Sequence, residues 1–204
     1  HKQIADSGFE VKVLPAFRPD KGLNIERKGV AAYFKTLGEA CGVDIVDLTT
    51  LEKAYGVSLD RFDSLGCKTA DHGMDDVIGF TKPDAYHADE ILKKAIASDG
   101  ADVTPEELVL FKSQMMRFFG CEYKKRGWVM QIHYGVRRNP NSEMFAKLGP
   151  DTGFDSINDL CIAEKLSMLL NSLEYEDKLP KTILYTLNPK DNYTLGTMLG
   201  NFQG

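Results

Sequence analysis

The feature that most limits what this chain can fold into is an alternation of two periods. Short apolar runs bounded by Pro, Gly or Asp occur at Phe9–Phe17 (FEVKVLPAF), Cys67–Ala70 (CKTA), Trp128–His133 (WVMQIH) and Thr182–Leu187 (TILYTL). Their length and β-branched content read as strands. Between them lie segments of helical period over Gly29–Cys41, Leu48–Leu65, Ala85–Ser98, Pro105–Lys125, Asp159–Leu173 and Asn192–Gly200. Strand followed by helix, repeated, selects an α/β fold with a parallel sheet, whose strands are then expected to be buried on both faces. No internal repeat, low-complexity tract or linker interrupts the order, so residues 1–204 read as one domain.

The longest helical segment is specified locally. Thr104 stands at the N-cap, Pro105 at the first helical position, acidic residues fill the first turn, and Lys124, Lys125 and Arg126 precede Gly127. Leu108, Phe111, Met115, Phe118 and Phe119 form an apolar stripe that is expected to pack on the sheet.

Composition narrows the function classes. An apolar content of 43% is enough to fill a core, and the net charge of −5 comes with no basic run of the kind that tracks a phosphate backbone. Nucleic acid is therefore not an expected partner. No run approaches the roughly 20 apolar residues of a membrane helix, and the opening HKQIADSG lacks the order of a signal peptide. Cys41, Cys67, Cys121 and Cys161 lie far apart with no CxxC pair, as expected for reduced thiols in a cytoplasmic protein. The missing initiator Met and the abrupt ending GNFQG read as cut points.

In parallel α/β folds ligands bind at the carboxyl ends of the strands. That rule selects Arg18 and Asp20 after the first run, Asp71 and His72 after the second, His133, Arg137, Arg138 and Asn139 after the third, and Asn188, Lys190 and Asp191 after the last. Singly, each has an ordinary reading. Arg18 fits a surface turn, Asp71 a cap, His133 a satisfied core histidine, and the adjacent Arg137 and Arg138 a solvated pair pointing different ways. Together, two arginines, a carboxylate, a histidine and an asparagine at one rim suit a small, hydroxyl-rich, anionic ligand. A carboxylate beside an imidazole could also move protons. No HxH or HExxH metal motif, P-loop, dinucleotide fingerprint or nucleophile elbow occurs.

The blocks LPAFRPDKGLNI, CKTADHG, RGWVMQIHYGVRRNPNSEMFAKLGPDTGFDSI and LPKTILYTLNPKDNYTLGTMLGNFQG resemble, in order, those of the bacterial uronate (glucuronate) isomerase family. The resemblance implies the amidohydrolase superfamily and a (β/α)8 TIM barrel of which this chain holds about strands four to seven. It implies aldose–ketose isomerisation of D-glucuronate to D-fructuronate and of D-galacturonate to D-tagaturonate. It also implies a divalent metal, zinc, on ligands outside this chain, so no metal ligand is expected within it. By the same resemblance Arg18 and Arg138 bind the sugar acid, while Asp71 and His133 act in catalysis. Tyr134 and Pro140 depart from the commoner pattern and bear on loop shape. A piece of a barrel is expected to be inactive by itself. Two other readings stay open: a hydrolase of an acidic substrate, and a non-catalytic half-barrel that self-associates into a homo-oligomer through its unpaired edges.

Overall fold

The longest helix begins where its capping residues place it. Thr104 Oγ1 accepts from Glu107 N at 3.3 Å and Glu107 Oε2 accepts from Thr104 N at 2.8 Å, a reciprocal cap for otherwise unpaired N–H groups. Gly127, at φ 64°, ends the helix in a left-handed turn that costs a glycine little. Leu108, Phe111, Met115, Phe119 and Tyr123 are buried along one stripe, with Phe118 half-buried beside it.

The computed structural model describes residues 1–74 and 80–203. In chain order its elements are α1 (Lys2–Asp6), α2 (Asp20–Leu23), α3 (Val30–Cys41), α4 (Leu48–Ser64), β1 (Thr69–Met74), α5 (Ala85–Ser98) and α6 (Pro105–Arg126). Then follow β2 (Val129–Tyr134), β3 (Val136–Arg137), α7 (Ser142–Leu148), β4 (Ser156–Ile157), α8 (Ala163–Glu174), β5 (Thr182–Thr186) and α9 (Asp191–Asn201). The strands β1, β2 and β5 lie side by side in that order, all parallel, while β3 and β4 form a separate antiparallel pair. The α/β class and the parallel sheet expected from the alternation are therefore present.

Two expectations are corrected. The predicted strand Phe9–Phe17 shrinks to a single parallel bridge, Phe17 to Ala70. Pro15 has no N–H to give a ladder, and with no partner strand beside them Phe9 and Val11 stay exposed. The sheet is also covered on one face only. Each new strand joins on the same side of the last, so right-handed crossovers carry the connecting helices to one face. Burial on both faces would need either a strand order that reverses, which brings helices to the second face, or closure of the sheet into a barrel. Ala70, His72, Met74, Met130, Ile132 and Tyr134 are buried on the helix side, whereas His133, Ile183 and Tyr185 are exposed on the other.

On the helix side an aromatic cluster joins the elements. Phe17 meets Phe62 edge-on at 5.2 Å, Tyr123 stacks on Trp128 at 6.0 Å, and Tyr55 meets Phe119 edge-on at 4.9 Å. Trp128 Nε1 donates to Asp63 Oδ1 at 2.9 Å, so its polar handle is satisfied as well. The four cysteines are free thiols; Cys67 is buried and Cys161 exposed. Among the described residues no helix is long and apolar enough to cross a membrane.

Candidate functional site

Backbone pairing places the first functional side chain. Phe17 N donates to Thr69 O at 3.0 Å and Asp71 N donates to Phe17 O at 2.8 Å, so Arg18 emerges beside Asp71 at the sheet edge. Arg18 donates through Nη1 to Asp71 Oδ2 at 2.7 Å and through Nε to Asp20 Oδ2 at 2.8 Å. The same Asp20 oxygen accepts from Gly73 N at 3.0 Å, which ties the start of α2 to the end of β1. Across the sheet, Asp71 Oδ1 lies 2.8 Å from His133 Nε2. Arg18, Asp71 and His133 thus form one continuous polar array spanning the Phe17 bridge, β1 and β2.

A further residue, absent from the sequence expectations, completes the array. Tyr185 is the ladder partner of His133, and the two rings lie parallel, 5° apart in orientation with centroids 4.4 Å apart. Tyr185 Oη donates to Gln131 Oε1 at 2.9 Å. Period-two alternation in TILYTL does place Ile183, Tyr185 and Leu187 on one face. In a sheet expected to be buried on both faces that alternation singles out no functional residue, so it does not mark Tyr185.

The other predicted residues fall elsewhere. His72 and Asp71 are neighbours on β1 and therefore point to opposite faces; His72 is fully buried among the helices, with Nε2 3.0 Å from Tyr123 Oη. Burial, which removes the water a charged imidazole needs, lowers its pKa from 6.5 to about 3; the Asp71 charge opposes this and Arg18 adds to it. The core histidine is thus His72, and His133, which taken alone read as the core residue, has a half-exposed side chain. Asp71 caps no helix: it sits within β1 and faces Arg18 and His133.

Arg138 Nη1 reaches Asp155 Oδ2 at 2.7 Å and Asp151 Oδ1 at 3.4 Å, and Asp155 also accepts from Asn139 N. Those contacts hold the loop between β3 and β4. Arg137 is exposed on β3. Asn188 and Lys190 bind Asp159, and buried Asp191 accepts from Thr186, so the last strand end spends its polar groups on loop structure. Gly135 turns with φ 88°, and a side chain added there would meet Leu187 N and Thr186 Oγ1, each at 3.3 Å.

A cleft of about 890 Å³ opens beside the array, lined by Arg18, Lys21, Arg27 and Lys28 with Asp20 and Asp151 among its walls. The cations outnumber the acids, which suits an anionic ligand despite the chain's net negative charge. Among the described residues no group of three or more His, Cys, Asp or Glu side chains comes together to hold a metal ion. Asp71 and His133 are two donors, and these residues alone do not fit a divalent cation.

The fold and array define an α/β protein with a one-sided parallel sheet whose open face carries an arginine, a carboxylate and a histidine in contact. A model of the glucuronate isomerase family matches residues 1–204, and the chain belongs to that family. It is 47% identical over 205 residues to a uronate isomerase of Pectobacterium atrosepticum, covering 100% of this chain and 43% of that protein. The crystal structure of a uronate isomerase from Thermotoga maritima superposes with a TM-score of 0.91 at 31% identity, covering 100% of this chain and 44% of the other. A glucuronate isomerase structure from Caulobacter crescentus gives a TM-score of 0.81 at 28% identity, covering 94% and 39%. The chain therefore spans less than half the length of these relatives.

Proposed function

We propose that this chain is part of a cytoplasmic uronate isomerase that interconverts D-glucuronate with D-fructuronate and D-galacturonate with D-tagaturonate. Residues 1–204 form about strands four to seven of a (β/α)8 barrel. The Phe17 bridge, β1, β2 and β5 supply the strands in one direction, with helices outside and polar groups inside. The observation that carries the proposal is the contact array Arg18–Asp71–His133 on the open face of a chain matched along its whole length by this family.

Isomerisation through an enediol takes a proton from one carbon and returns it to its neighbour. Asp71 and His133, in contact on the open face, take up, return or orient these protons. Arg18 offers a planar donor set to the sugar carboxylate, and Arg138 contributes a second guanidinium from the rim. A divalent metal, zinc, belongs to the same reading on ligands outside these residues, where it supplies Lewis acidity. None of the steps assigned to this chain passes through it.

The test is an isomerase assay. The full-length, metal-supplied protein carrying this chain is given D-glucuronate, and the 2-keto acid is followed. Its appearance supports the reading; a folded, metal-supplied protein that makes none refutes it and favours the hydrolase alternative.

A further inference from the structure

We infer that Tyr185 is a positioning residue that, fixed by Gln131, holds the His133 imidazole in register with Asp71. This rests on the isomerase reading for its kinetic consequence but not for its geometry. His133 stands on the open face of the sheet with its side chain 47% exposed, where an imidazole would ordinarily sample several rotamers. Two contacts restrict it. Asp71 Oδ1 meets one ring edge at Nε2, 2.8 Å away, and the Tyr185 ring covers one ring face at a centroid distance of 4.4 Å.

The covering ring is itself pinned. Its hydroxyl donates to Gln131 Oε1, and Gln131 lies two residues before His133 on the same face of β2, opposite Asp71 in the ladder. Asp71, Gln131, His133 and Tyr185 therefore close a loop of contacts across β1, β2 and β5. A ring held at an edge and a face keeps Nε2 within 2.8 Å of Asp71 Oδ1, the closeness a proton-transferring pair needs in advance of the substrate. Tyr185 lies on the face opposite the aromatic cluster of the core, so its replacement is expected to leave that cluster intact.

Tyr185→Leu removes the stack, and Tyr185→Phe keeps it while releasing the hydroxyl. In the full-length protein, Tyr185→Leu is expected to lower kcat about tenfold while KM for D-glucuronate stays within about twofold; Tyr185→Phe should fall between this variant and the wild type. In parallel, proton NMR of the His133 ring should show an upfield ring-current displacement that Tyr185→Leu abolishes and Tyr185→Phe retains. Normal kcat in Tyr185→Leu, a loss confined to KM, or His133 resonances that do not move would each overturn the inference. If the wild type isomerises no uronate, the functional reading falls, and the resonance comparison still decides whether Tyr185 positions His133.

Discussion

Two histidines on adjacent strands show how the sheet divides its work. His72 on β1 and His133 on β2 differ by one ladder step, Gly73 being the partner of His133, and that single step sends them to opposite faces. His72 is enclosed by Phe119 and Tyr123 and kept neutral by burial. His133 stands in the open against Asp71 and Tyr185. The helix-covered face holds the fold together, and the uncovered face is free to carry polar groups that would be costly in a core. Parity along a strand, more than residue type, decides which role an imidazole takes.

Substitutions can break that comparison from either face. The largest effect is expected in the core: Phe119→Ala should destabilise the protein by about 3–5 kcal/mol, read from denaturant unfolding, while turnover per folded molecule is preserved. On the open face, Arg18→Met should leave the unfolding midpoint nearly unchanged and raise KM for D-glucuronate by about ten- to a hundredfold, the range of a lost charge-assisted hydrogen bond. An unchanged KM would remove Arg18 from the site.

His72 gives a pH test of the covered face. Its pKa in the folded protein, about 3, lies below the ordinary 6.5, so between those values the unfolded chain binds the extra proton. Stability is therefore fully present above about pH 6.5 and is lost as the pH falls through that window, by up to about 1.4 kcal/mol per pH unit. His72→Gln should flatten the slope of unfolding free energy between pH 6.5 and 5; an unaltered slope would mean the imidazole is not kept neutral. The smallest effect is expected at the rim. Arg138→Met, whose side chain is already engaged by Asp155 and Asp151, should raise KM by less than Arg18→Met does, and a larger rise would put Arg138 ahead of Arg18 in binding.

Much of the architecture was legible because it is written locally. Thr104, Pro105 and Glu107 announce α6, and the run from Ala85 to Ser98 becomes α5 with the same bounds. Phe9–Phe17 misled because strand formation depends on a neighbour that sequence does not show. The segment TADHGM has no apolar alternation to reveal its parity, so Asp71 and His72 could not be assigned to faces from sequence. Tyr185 is not legible for a related reason: its face is visible in TILYTL, but whether that face meets helices or open space depends on the order in which strands join the sheet. The helix α7 is absent from the sequence expectations, although Asn141 caps it by accepting from Met144 N at 3.0 Å.

The most direct test of this division is a paired measurement on Asp71→Asn in the full-length, metal-supplied protein: turnover of D-glucuronate and the thermal unfolding midpoint, each against the wild type. The account predicts turnover lower by about a hundredfold or more, as for loss of an acid–base group, with the midpoint almost unmoved. Near-normal turnover, or a loss of activity that merely follows a fallen midpoint, would contradict it.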